Sequence, residues 1–368
     1  MTTQDPGHRE WWTEWEEEEP LFRQLRLTVR QALLAGGENP ADAWAALTDV
    51  GAWDFGTPVD RGGLDLGHEV VTMLSEEVGS STQPIPLLGT LVALDVLGVL
   101  DTHRDLFDAV RGGDVPVAMP GRLPGLAGCL ATGLTWRADG DSAGRLSGTA
   151  GPFAVGVEPG ALLTLAPAED GPLVSLLTLP SPGVELRTLT DRGGGPTAMA
   201  VLTDAPVSAE AILLRGHEAE QALRRVGLRV AVYQAAMLIG LTAATLTAAV
   251  ERIRSRRSMG KALVQHQAPR LRVAGLLARL DAVRWAVADA ARSLDRHTLT
   301  STEAAGLLAL TAETALDVTR DAVHLHGASG LGRRSVVATC YRRVAWEALR
   351  CGRPTLLWET AAGTPQPT

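Results

Sequence analysis

The chain has 368 residues, 45% of them apolar, and a formal net charge of −8. Such a chain can bury a large core and make two or three domains, and with its basic residues spread along it and an acidic balance it offers no footprint for a nucleic-acid partner. The three cysteines, Cys129, Cys340 and Cys351, are far apart and odd in number, so neither a disulfide framework nor a metal site is expected, and a reducing cytoplasm is the expected location.

Residues 8 to 35 read as a helix, acidic at first and basic later, with Trp11, Trp12 and Trp15 crowded at its start. Glu10, Glu14 and the run Glu16 to Glu19 stand where a secretion signal has a basic start and an apolar stretch, so no export is expected. A helical period through Trp44 and Leu47 stops at Gly51. The glycine-rich turn from Arg61 to Gly67 then leads into a helix from Glu69 to Val78, and Pro84-Ile-Pro86 precedes helices through Leu100 and Val110.

After Gly112 the texture changes to short apolar runs between Gly, Pro and Asp, such as Leu130 to Trp136, Ala161 to Ala166, Leu173 to Leu179 and Ala198 to Leu202. Helices of ordinary length do not fit between these breakers, so a β domain is expected, with turns at Leu146 to Thr149 and Pro182 to Val184. From Glu218 the helical period returns. Val230 to Val250 carries no charge and is long enough to cross a bilayer, but its Ala and Thr content, Gln234 and the flanking Arg229 and Glu251 fit a buried core helix and no membrane. The expected class is α+β, with a helical domain at 1–111, a β domain at 112–215 and a helical bundle at 216–368.

The long helical pattern breaks at Arg256 to Ala268, where Arg256 lies four residues before Gly260 and Gln267 seven after it. This segment resembles the Arg-x-x-Phe-Gly…Gln stretch of the acyl-CoA dehydrogenase family, with Met259 at the aromatic place. Asp321 to Leu331, with His324, Gly327 and Gly330, resembles the family's Gln-x-x-Gly-Gly-x-Gly turn, although His324 replaces the Gln and Ala328 the second Gly. The order Trp44-x-x-Leu47, Gly62-Gly63-x-x-x-Gly67 and Glu76-Glu77-x-Gly79 is similar to the family's N-terminal helical domain, so the resemblance runs from about Trp44 to Gly352. It implies a middle β-barrel, a C-terminal four-helix bundle and FAD, with Arg256, Gln267, His324, Gly327 and Gly330 facing the ADP part of a flavin held by a neighbouring subunit. Only a residue without Cβ lets backbone approach a pyrophosphate that closely.

In that family a glutamate takes the α-proton of an acyl thioester while the flavin accepts hydride, a task suited to a carboxylate whose pKa desolvation lifts. Its commonest place is nine residues after an Arg matched here by Arg342, which gives Cys351; its rarer place is thirty residues before Gly260, which gives Val230. Neither is a carboxylate. A thiolate at Cys351 is one substitute, and a buried small hydrophobe is its plain alternative; Glu347 and Glu359 lie nearby in sequence. On the ring side, Val117 to Pro120, Gly125 to Gly128 and Phe153 stand where the family has hydroxyl-bearing segments, and Phe153 alone retains a surface able to stack on a flavin. His324 and His326, two apart, point about 200° around a helix from each other and make no metal pair.

Three readings follow. The first is a flavoprotein acting on an acyl thioester, as a base-lacking partner of a catalytic paralogue, in a homodimer, homotetramer or hetero-oligomer. The second is a redox-neutral cyclase or isomerase on the same scaffold, without flavin, positioning a polyketide-like small molecule. The third is a scaffold that keeps only the fold.

Overall fold

A computed structural model describes residues 20–119, 133–140, 143–189, 195–332 and 335–363. Trp11, Trp12 and Trp15, Gly125 to Gly128, Cys129 and Asp191 to Gly194 lie outside the described residues. Among the described residues the α-helices α1 (Pro20–Ala35), α2 (Pro40–Asp49), α3 (Gly67–Ser81), α4 (Leu87–Leu97) and α5 (Arg104–Arg111) come first. Asn39 starts α2 by accepting the Ala41 N–H at 3.1 Å, with Pro40 at the first helical position. Every residue of α4 except Asp95 is buried.

Eight strands follow: β1 (Val117–Ala118), β2 (Leu134–Ala138), β3 (Gly144–Ala154), β4 (Ala161–Ala168), β5 (Gly171–Thr178), β6 (Val184–Leu189), β7 (Thr197–Val207) and β8 (Ile212–Arg215). They form two four-stranded sheets, in the orders β1-β4-β5-β8 and β2-β3-β7-β6. The turn expected at Leu146 to Thr149 is instead a register shift inside β3, between Leu146 and Gly148. Gly183, in the left-handed region at φ 73°, does make the turn into β6.

The rest is helical: α6 (Gly216–Ser255), a hairpin of β9 (Arg257–Ser258) and β10 (Lys261–Ala262), then α7 (Gln267–Asp295), α8 (Ser301–His326), α9 (Val336–Glu347) and α10 (Pro354–Ala361). Thr300 and Glu303 cap the start of α8 reciprocally, and Gly327 ends it at φ 76°. The apolar stretch of α6 is buried inside the molecule, against helices on several sides.

Two apolar cores account for this arrangement. The larger joins the first five helices to α6, α7 and α8, so the N-terminal and C-terminal helices share one interior. The smaller lies between the two sheets and includes Leu146, Phe153, Leu162, Leu177 and Leu202. Along β4 the side chains alternate: Leu163 and Leu165 face the helices, while Leu162 and Ala166 face the second sheet. Covered on both faces, β4 reads as a continuous apolar run.

Ion pairs tie α1 and α7 to α3. Glu77, 3% exposed, accepts from Arg30 Nε at 3.0 Å, Arg30 Nη2 at 2.9 Å and Arg26 Nη1 at 3.1 Å. Its neighbour Glu76 pairs with Arg284 of α7 at 2.8 Å. A fork of Arg30 donors on one carboxylate is the strong form of such a pair.

At the other end of α3, the His68 ring nitrogen Nδ1 lies 2.6 Å from the Tyr233 hydroxyl, and the His68 N–H donates to Asp295 at 2.7 Å. Burial, and after it the Arg229 charge, push this imidazole down from 6.5 to about 4. The unfolded ring takes a proton below about 6.5 and the folded ring only below about 4, so this contribution is whole above the upper value and is lost as pH falls through the window. The melting temperature is therefore expected to fall between pH 6.5 and 4, and His68→Gln to flatten that slope. Equal slopes in both proteins assign the acid sensitivity elsewhere.

Candidate active site

The residues expected to face the ADP part of a flavin come together at one end of the helical bundle. Arg256 leaves the last turn of α6 in an extended conformation, and its carbonyl accepts the Leu263 N–H at 2.8 Å, which closes the β9–β10 hairpin. Arg257 holds the hairpin turn by donating to the Gly260 carbonyl at 2.9 Å, and leaves Met259 exposed at the tip. The Arg256 guanidinium lies against Gly327, where a Cβ would stand 2.7 Å from Nη1. Gly330 is packed as closely on its own helix, since a Cβ there would meet His326 Cβ at 2.9 Å. The Gly330 N–H donates to the Gly327 carbonyl at 2.8 Å and folds residues 328–331 into a single turn.

Arg256, Gln267 and His324 are exposed, and Arg256 makes no ion pair among the described residues. An exposed guanidinium, a free amide at the first turn of α7 and a close-packed glycine turn fit a diphosphate brought by another molecule. Arg272 pairs with Asp321 at 2.7 Å and Arg279 with Asp317 at 2.8 Å, so α7 and α8 are locked together beneath this face. No cluster of three or more ligating side chains occurs among the described residues. Burial, with Arg252 beside it, holds His326 below the ordinary range.

Phe153 lies elsewhere. It pairs with Ala198 across β3 and β7, is 1% exposed, and fills the core between the sheets, leaving no ring face open for stacking. Val117 and Ala118 are buried in β1, beside β4.

One base position lies on α6 and the other just after α9, helices joined by the Gln234–Glu347 contact. Val230 is buried on α6 and Cys351 follows α9, also buried. Burial pushes the Cys351 thiol up to about 12, with Arg350 and Glu347 opposing one another as smaller influences. The thiol therefore keeps its proton at neutral pH, as a small buried hydrophobe does.

A carboxylate does stand where these two helices touch. Glu347, one turn before Cys351, accepts a 2.9 Å hydrogen bond from Gln234 Nε2, one turn after Val230, and the same amide donates to the Glu347 carbonyl. Arg343 approaches Glu347 at 3.8 Å and Arg350 at 3.5 Å, with all three side chains nearly excluded from solvent. Sequence order puts Glu347 near Cys351 but does not show its pairing with Gln234, which joins two helices. The signal in sequence is the polar Gln234 inside an apolar run, with a lone Glu347 among arginines. Two cavities, of about 360 and 460 Å³, open on either side of the Glu76–Arg284 pair, and neither is lined by Val230, Glu347 or Cys351.

Comparison with known proteins agrees with this layout. A family model described as the C-terminal domain of acyl-CoA dehydrogenase matches residues 229–353. An acyl-[acyl-carrier-protein] dehydrogenase, MbtN, of Mycobacterium bovis is 29% identical over 196 residues, 51% of this chain and 49% of that protein, so the match spans about half of the curated relative. The Tcur3481–Tcur3483 steroid ACAD superposes with a TM-score of 0.80 at 21% identity, over 94% of this chain and 97% of that one. The ChsE4–ChsE5 complex of Mycobacterium tuberculosis gives 0.75 at 20% identity, over 90% and 93%. At these identities the structures speak for the fold.

Proposed function

The chain is an acyl-CoA dehydrogenase-like family member, and from that premise we propose that it serves as the base-lacking subunit of a flavin-dependent hetero-oligomer that oxidises an acyl thioester. The observation that carries this reading is a contrast within one chain. Arg256 and Gln267 are exposed and the Arg256 guanidinium lies against Gly327, a set of groups suited to a diphosphate, whereas Val230 and Cys351, the two places for a base, are buried and carry none. This set serves a flavin in the partner's active site; the partner brings the glutamate.

FAD, once bound, supplies the hydride acceptor. This chain's part is to bind and orient. Arg256 would hold the diphosphate through its guanidinium, Gln267 would add an amide, and the missing Cβ at Gly327 would let the backbone come close. Relatives of this kind include one whose name gives an acyl-carrier-protein substrate and a structure solved as a two-protein complex. Both agree with a thioester on coenzyme A or a carrier protein and with assembly from unlike subunits.

Co-expression with a glutamate-bearing paralogue is expected to give a stable hetero-oligomer with one flavin per pair and acyl-thioester-dependent dye reduction. Arg256→Ala in this chain is expected to weaken flavin retention by roughly tenfold while leaving assembly intact, the size of one lost charged hydrogen-bond pair. Homotetramers that bind no paralogue, or that oxidise thioesters unaided, overturn the proposal. A colourless protein that takes up no FAD in either state moves the reading to the redox-neutral enzyme.

A further inference from the structure

The cavity of about 360 Å³ beside the Glu76–Arg284 pair is walled by one face from each of several helices. Thr72, Met73 and Glu76 recur at helical spacing on α3, and Arg284, Val287 and Ala291 do so on α7. Met73, Val287 and Ala291 are buried and, with Ile239 of α6, make an apolar floor. Phe22 and Arg26 of α1 lie over one side, and Trp285, 53% exposed, stands at the mouth.

Every charged side chain described along this wall already has an opposite partner. Arg284 lies 2.8 Å from Glu76, Arg292 lies 3.2 Å from Glu69, and Arg26 lies 3.1 Å from Glu77. A charged occupant would break one of these pairs or leave its own charge unmet, so the cavity suits a neutral molecule.

Among the neutral polar groups on the wall, the Thr72 hydroxyl is left over. Thr72 is 7% exposed, and its Oγ1 is buried without a partner. Buried threonines on α6 and α8 behave otherwise: Thr242, Thr245, Thr311 and Thr319 each donate to the carbonyl four residues earlier, at 2.6–2.7 Å. A buried hydroxyl without such a bond costs stability until something pairs with it. The remaining wall favours a flat ring. Guanidiniums and thioethers both pack well on aromatic faces, and the wall has Arg26, Arg284 and Met73 beside Phe22 and Trp285. The volume is at the small end of the range for ligand cavities, roughly 300–1,000 Å³, and fits about two fused rings.

We propose that this cavity is a binding site for a small neutral aromatic molecule that carries one hydroxyl or ring N–H, which pairs with Thr72. Its lining shares no residue with the Arg256–Gly327 group or with Val230, Glu347 and Cys351, so the site is separate from the flavin and thioester reading and does not rest on it. The occupant bridges α1, α3, α6 and α7, and its binding therefore stabilises the helical body as a whole.

The test uses the full chain and two probes that share one ring system. 2-Naphthol, neutral at pH 7, is expected to raise the melting temperature by a few degrees and to give a saturable one-to-one isotherm. 2-Naphthoate, which adds a negative charge, is expected to bind at least roughly tenfold more weakly. Thr72→Val keeps the shape and removes the hydroxyl, with two opposite effects: the free protein melts higher, because no buried hydroxyl is left unpaired, and 2-naphthol binds several-fold more weakly, because its hydrogen bond is lost. Ala288→Leu places a larger side chain on the cavity wall and is expected to abolish binding while the protein stays folded. Absence of saturable 2-naphthol binding, equal binding of 2-naphthoate, or unchanged affinity in either variant overturns the site. Flavin retention and assembly with a paralogue are expected to be unchanged in both variants, so the hetero-oligomer reading stands or falls on its own measurements.

Discussion

Gly240→Ala is expected to lower the unfolding free energy by about 3 kcal/mol or more, while Gly275→Ala raises it by roughly 0.5–1 kcal/mol. Both glycines are interior to long helices, so helix propensity alone favours alanine at each. The surroundings reverse the sign at one of them. On α6, a Cβ at position 240 would stand 2.0 Å from the Glu76 carbonyl oxygen and 2.6 Å from the Ser80 N–H nitrogen, both backbone atoms of α3. Gly79 mirrors the contact, with its own Cβ position 2.2 Å from the Met237 carbonyl oxygen. The two helices touch backbone to backbone, and a methyl group must push them apart. Gly275, exposed on α7, has no atom within 4 Å of its Cβ position, so alanine there only restricts the unfolded chain. Urea unfolding of the two variants beside the wild type measures both signs, and a neutral Gly240→Ala means that α3 and α6 cross less closely than described. The effect reaches the site, because α6 carries Val230 and Gln234 and ends at Arg256.

The fold was legible because its signals are local. The change from a 3.6-residue period to short apolar runs after Gly112, and back near Glu218, follows from how side chains project from helices and strands. The grouping of Arg256 with the Gly327–Gly330 turn was legible for a related reason. Arg256 and Gly327 are each marked by a neighbouring glycine and a helix end, which are properties of the chain within a few residues. What stayed hidden was tertiary. Phe153 fits a ring-stacking position by sequence order, but only the pairing of β3 with β7 turns it into the core between the sheets. The bulge at Leu146 reads as a turn because glycine and polar residues produce both. The pairing of Glu347 is the clearest case: the residue stands out near Cys351 in sequence, but its partner Gln234 is 113 residues away, and a count made outward from one motif does not cross between helices.

Glu347→Ala is expected to destabilise the protein by about 3–5 kcal/mol, the cost of leaving buried guanidiniums without their carboxylate. Loss of apolar contacts is a small part of this, since the groups around Glu347 are the polar Gln234, Arg343 and Arg350. Glu347→Gln keeps the shape and removes the charge, so it separates packing from electrostatics; a loss nearly as large as that of the alanine variant identifies the charge as the dominant part. The same substitutions test the charge with a distinctive sign. Removing Glu347 leaves Arg343 and Arg350 without the carboxylate they share, and opens space beside them. Acetate and glutarate are then expected to restore part of the lost stability, and glutarate to shift the melting temperature of Glu347→Ala further than that of the wild type. A protein that merely needed its packing filled would respond equally to the neutral acetamide. Rescue by the anion and not by the amide places the uncompensated positive charge at this junction of α6 and α9, where sequence counting looked for a base and the folded chain has assembled two arginines around a single carboxylate.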